Sequence, residues 1–140
     1  TFAPLANLVE GWILLQEKDY TGSLTILQTS RNGFLGLSEF HEALALGAQG
    51  IVYVFQEDMK GVELIISELE NFGESAGAKN MIGIIKLYMG DHSKGYKILQ
   101  DNILNDNPYI YFFIDPKLDR FRNDAQFIKL LTLYNKDTIS

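Results

Sequence analysis

Cysteine is absent from this 140-residue chain, which removes disulfide frameworks and thiolate metal sites at once. Histidine occurs only at His41 and His92, so imidazole clusters are excluded as well. Cations are scarce: 12 Lys and Arg stand against 18 Asp and Glu, a net charge of −6. Sequence-independent nucleic-acid binding needs clustered cations to release counterions, so nucleic acid is not an expected partner. No long apolar run exists either. The longest charge-free stretch, Ala43 to Gln56, has 14 residues, short of the roughly 20 that span a bilayer. No signal peptide is visible, and a cytoplasmic location is expected, with the periplasm left open. The chain opens at Thr1 rather than Met, which reads as a piece of something longer or a processed product. What is present is 46% apolar sequence, enough for one domain over 1–140 with a real core.

Three stretches share a layout. Gly11 is followed by Asp19 and Leu27, Gly50 by Asp58 and Ile66, and Gly83 by Asp91 and Leu99, each step being eight residues. The copies are offset by 39 and then 33 residues, so an insertion around Leu37 to His41 is expected. Apolar residues before each Asp recur at helical spacing, as in Leu5, Leu8, Val9, Trp12 and Leu15, or Met81, Ile84, Ile85 and Tyr88. Each copy therefore reads as two helices joined by a tight turn, and the protein as all-α. Asp19, Asp58 and Asp91 are placed to cap the second helices, and Ser38 to cap the next long one. Gly33 and Gly73 are the expected left-handed stops after the second helices.

Gly11, Gly50 and Gly83 fall inside the first helices, where glycine costs about 1 kcal/mol relative to alanine. Three at one register imply close approach of a neighbouring helix. Ser23 and Gly95 are the matching small positions on the second helices, with Val62 the bulkier exception.

This layout resembles the tetratricopeptide repeat, a helix–turn–helix unit of about 34 residues. The shared features are the first-helix Gly, the Asp turn, the small second-helix residue and the apolar residue one turn later. In place of the motif's late alanine stand Ser30, Leu69 and Asn102. The segment from Asn107 to Leu131 is similar to the closing segment of such arrays in bacterial adenylyl cyclases, winged-helix regulators and serine/threonine kinases. Asp115, Pro116, Leu118, Asp119, Phe121, Arg122, Asp124, Phe127, Leu130 and Leu131 carry that likeness. The resemblance implies a right-handed solenoid of antiparallel helix pairs, with repeats over about 3–35, 38–73 and 75–106 and a cap over 107–135. From the residues alone, Asp115-Pro116 and Asn123 with Gln126 are helix starts. Phe121, Phe127, Leu130 and Leu131 would cover the open end of the core. Arg122 would bridge Asp115 or Asp119.

Chemistry finds little to work with. His41-Glu42 lacks the second His of a zinc-protease helix, and the neighbours Asp91, His92 and Ser93 cannot take triad geometry. No phosphate-cradling glycine pattern occurs, and Glu68, Glu70 and Glu74 read as a solvated helix end. No catalytic residue, metal or cofactor is expected. Under the resemblance, the first helices line a concave groove: Leu8, Trp12, Leu15 and Gln16, then Gly47, Ile51, Val54 and Phe55, then Asn80, Ile84, Leu87 and Tyr88. That lining is too apolar to clamp a peptide carboxylate. Ile51, Ile84 and Leu15 read equally well as core. The expected function is a non-catalytic scaffold that binds a protein or peptide, as the C-terminal module of a larger bacterial regulator. A homodimerisation module or a sensor of a small apolar ligand are the alternatives.

Overall fold

Helix-forming periodicity and three repeated turn signals produce three helical hairpins and a closing helix. The computed structural model describes residues 3–105 and 116–139. Among them lie seven α-helices: α1 (Ala3–Gln16), α2 (Tyr20–Phe34), α3 (Glu39–Phe55), α4 (Met59–Glu70), α5 (Ala76–Tyr88), α6 (His92–Leu104) and α7 (Ala125–Ile139). A short 3-10 helix, Pro116–Phe121, precedes α7, and no strand occurs among the described residues. Residues 106–115 are not among those described, so the expected role of Asp115 lies outside them.

The turn inside each hairpin has one backbone design. Lys18, Glu57 and Gly90, each just before the capping Asp, have φ of 65°, 56° and 90°. The N–H groups of Asp19, Asp58 and Asp91 reach back to the carbonyls of Leu14, Tyr53 and Lys86 at 2.9–3.0 Å. Those of Lys18, Glu57 and Gly90 reach Leu15, Val54 and Leu87 at 3.0 Å. This is the Schellman pattern, which satisfies the carbonyls a helix end leaves free. Its last residue then caps the next helix. The Asp19 and Asp58 carboxylates accept from the Gly22 and Gly61 N–H groups at 2.9 and 3.0 Å. Asp91 holds the same place but makes no side-chain cap bond; its carboxylate lies 3.8 Å from Lys94 Nζ instead.

Between hairpins the expectation needs one correction. Gly73 does follow α4 with φ 64°, but Gly33 lies within α2, and the left-handed residue is Gly36 at φ 76°. A Cβ at Gly33 would fall 2.4 Å from the Pro4 side chain, so this glycine admits α1 rather than ending α2. The six extra residues, expected around Leu37 to His41, lengthen the end of α2 and the start of α3. α2 has 15 residues against 12 in α4, and α3 begins eleven residues ahead of Gly50 where α5 begins seven ahead of Gly83. The extra length is helical, and Ser38 caps it, accepting from the His41 N–H at 3.3 Å. Beside this added turn Arg31 donates to Glu68 at 2.8 Å and lies 4.0 Å from Glu42, tying α2, α3 and α4 together. Glu68 is therefore a structural partner rather than part of a solvated end.

The repeated glycines mark close contacts. A Cβ at Gly11 would lie 2.4 Å from Leu27, and one at Gly83 would lie 2.8 Å from Leu99. In the middle hairpin Gly50 faces Ile65 of α4 and Ile85 of α5 together, and Ile66, at the register of Leu27 and Leu99, is only half-buried. Two helices, not one, set the ridge at that position. Ser23 donates to the Gly11 carbonyl at 2.7 Å, and a Cβ at Gly95 would sit 2.9 Å from the Gly83 carbonyl. α3 lies innermost, against α2, α4 and α5, with a smaller contact to α1. Its residues from Ala45 to Val52 are all buried.

At the far end α7 packs on α6. Phe121, Phe127 and Leu130 are buried there and Leu131 is half-buried. The cap of α7 is Asp124 rather than Asn123: its carboxylate accepts from the Gln126 N–H at 3.0 Å and its carbonyl from the Ile128 N–H at 3.0 Å. The helix begins at Ala125, which leaves Asn123 one residue too early. Pro116 opens the 3-10 helix, and Arg122 donates to Asp119 at 2.6 Å.

Candidate functional site

The ends of the first helices carry aromatic rings at matching register. Gln16, Phe55 and Tyr88 each follow their repeat glycine by five residues, and Phe121 comes 33 residues after Tyr88. The Phe55 and Tyr88 rings meet edge-on with centroids 5.8 Å apart, and Tyr88 meets Phe121 the same way at 5.4 Å. Gln16 supplies no ring, and Tyr20 at the start of α2 takes its place, stacked on Phe55 at 6.4 Å. The Arg120 guanidinium lies 4.9 Å from the Tyr88 ring centre. Such offset and edge contacts are each worth about 0.5–1.5 kcal/mol beyond burial, so the row is a firm wall.

Against this wall α1 leaves an open hollow of about 820 Å³. Leu8, Val9, Trp12, Ile13 and Leu15 form one side, and Tyr20, Phe55 and Tyr88 the other. Gln16 and Lys18 are its polar lining. The volume lies in the range of small-molecule sites, and the mostly apolar lining suits an apolar group or the apolar face of a helix. A smaller hollow of about 390 Å³ lies between α6 and α7, lined in part by Tyr96, Gln100 and Lys129.

Of the groove residues expected from the sequence, Leu8, Trp12, Leu15, Gln16, Phe55 and Tyr88 line the large hollow. Gly47, Ile51, Ile84 and Leu87 are in the core instead, and Val54 is half-buried against it. A Cβ at Gly47 would fall 2.3 Å from Met81, so this glycine receives α5. Asn80 is buried too, accepting from Asn102 at 2.7 Å. The hollow narrows to the first hairpin plus two rings because α3 and α5 press closely together, whereas α1 stands further off. Sequence reasoning missed Val9, Ile13, Lys18 and Tyr20 as lining. A signal existed for the first two: α1 is apolar on more faces than one packing contact uses.

Titratable groups do not converge there. The His41 ring stacks on Phe34 at 5.0 Å, and its Nδ1 lies 2.7 Å from the Ser38 hydroxyl, a helix-capping arrangement. His92 Nδ1 lies 3.7 Å from Asp124. Burial pushes the Tyr96 phenol above its ordinary value, and the Asp124 carboxylate pushes the same way. A hydrogen bond and the charge of Lys79 hold the exposed Glu74 carboxyl below its ordinary value. Among the described residues no group of three His, Asp or Glu is placed to hold a metal ion, and no helix is long and apolar enough to cross a membrane.

No family model, curated protein or solved structure matches this chain.

Proposed function

We propose that this chain is a helical-repeat interaction module of the tetratricopeptide kind, a non-catalytic scaffold whose hollow takes the apolar face of a partner's amphipathic helix. The single observation that carries the reading is the hollow itself, apolar along its length and flanked by firmly packed rings. The matched turns at Lys18, Glu57 and Gly90 support the repeat assignment, since one backbone design at one register is what a tandem unit requires. Likeness of the Asn107 to Leu131 segment to the ends of bacterial regulatory arrays supports a role as the C-terminal module of such a regulator.

Trp12 is the chain's only tryptophan and lines the hollow, so its fluorescence reports occupancy directly. Titration with amphipathic helical peptides is expected to shift Trp12 emission to the blue and to saturate, and Phe55→Lys is expected to abolish the response. A Trp12 signal indifferent to such peptides overturns the reading.

A further inference from the structure

The most solvent-exposed apolar ridge on α1 is Leu5, Val9 and Ile13, which are 46%, 54% and 48% exposed and spaced four residues apart. Such spacing makes a straight ridge along one face. The internal repeat shows what that face is for. In α3 the same register positions are Leu44, Ala48 and Val52, the first half-buried and the others fully covered. In α5 they are Gly77, Met81 and Ile85, and the chain of α3 covers them: Met81 packs at Gly47 and Ile85 at Gly50. Two copies bury this ridge against a helix. The first copy leaves it bare.

Val9 and Ile13 also form one edge of the hollow, so ridge and socket lie side by side. A surface that carries its own complement beside it is what a two-fold interface needs, because the same patch must serve both partners. The charges agree. Among the described residues Lys18 is the one charged residue lining the hollow, and Glu10 stands exposed beside the ridge. Neither has an ion-pair partner among the described residues. The opposite end is occupied by α7 packed on α6, which favours a closed pair over a growing chain of subunits.

From this we propose that the occupant of the α1 face is a second copy of this chain. Each α1 lays Leu5, Val9 and Ile13 into the other's hollow, with Lys18 of one copy facing Glu10 of its mate. The proposal rests on the hollow being an interaction site and names its partner.

Sedimentation equilibrium of the 140-residue chain from micromolar to millimolar concentration tests it. A monomer–dimer equilibrium is expected, with Trp12 emission shifting as dimer forms. Val9→Lys, on a half-exposed site that tolerates a long side chain in the monomer, is expected to raise the dimer Kd about thirtyfold or more. Lys18→Glu weakens the dimer about fivefold, and adding Glu10→Lys restores it, a rescue that a merely structural role would not give. A chain monomeric throughout overturns the proposal, as does a dimer indifferent to Val9→Lys. If the monomer still binds helical peptides through Trp12, the hollow stands as an interaction site and only self-docking falls.

Discussion

In the first hairpin the Ser30 hydroxyl donates to the Pro4 carbonyl at 2.7 Å, and in the third the Asn102 amide donates to the Ala76 carbonyl at 3.0 Å, at the same place in the repeat. In the middle hairpin that place belongs to Leu69, fully buried. The small positions divide the same way: Ser23 and Gly95 touch the facing backbone in the outer hairpins, whereas Val62 fills the middle one. In the first and third hairpins, directional hydrogen bonds to facing carbonyls set how the helices lie. The middle one is enclosed by α2 and α5 and can rely on apolar contact, which is strong but has no direction of its own. One backbone arrangement is thus held by two chemistries.

Four substitutions probe this contrast. Leu69→Ala has the largest expected effect, a loss of about 3 kcal/mol, because a fully enclosed site cannot collapse around the cavity. Denaturant unfolding measures it, and a loss no greater than for Ser30→Ala would erase the distinction between hairpins. Next comes Gly95→Ala, expected to cost about 2 kcal/mol. Its Cβ would press on the Gly83 carbonyl at 2.9 Å, and backbone yields less readily than a side chain. A thermal midpoint equal to the parent's would show that the third hairpin is looser than drawn.

Asn102→Ala follows, at about 1.5 kcal/mol, since it strands the buried Asn80 carbonyl oxygen. Pairing Asn102→Leu with Asn80→Leu should recover part of that loss by removing both polar partners. Hydrogen exchange of α5 and α6 would show whether register loosens even where stability returns. Smallest is Glu57→Gly, expected to stabilise by about 0.5–1 kcal/mol by relieving a left-handed residue at φ 56°. Gly90 already has the better residue at that register, so Gly90→Ala should move stability the opposite way.

The hairpins were legible because the signals behind them are local. A glycine, an aspartate eight residues later and an apolar residue eight beyond that specify the turn; Asp19 and Asp58 cap as read, whereas Asp91 holds the place without a side-chain cap bond. Mistakes arose where two elements compete for one residue. Gly33 looks like a helix stop and is a contact for Pro4. The hollow was half legible. Leu8, Trp12 and Tyr88 line it as read, but Ile51, Ile84 and Leu87 carry the same apolar character and the same helical phase and are core.

By itself the sequence determined the all-helical character, the hairpin turns and the glycines that let helices touch. These follow from hydrophobic period, backbone freedom and capping, which act over a few residues. Only the tertiary structure decided which apolar side chains face neighbours and which face water. That choice rests on how far apart α1, α3 and α5 settle. Gly47 admits Met81 and draws α5 onto α3, whereas Val9 and Ile13 of α1 stay half-exposed along the hollow.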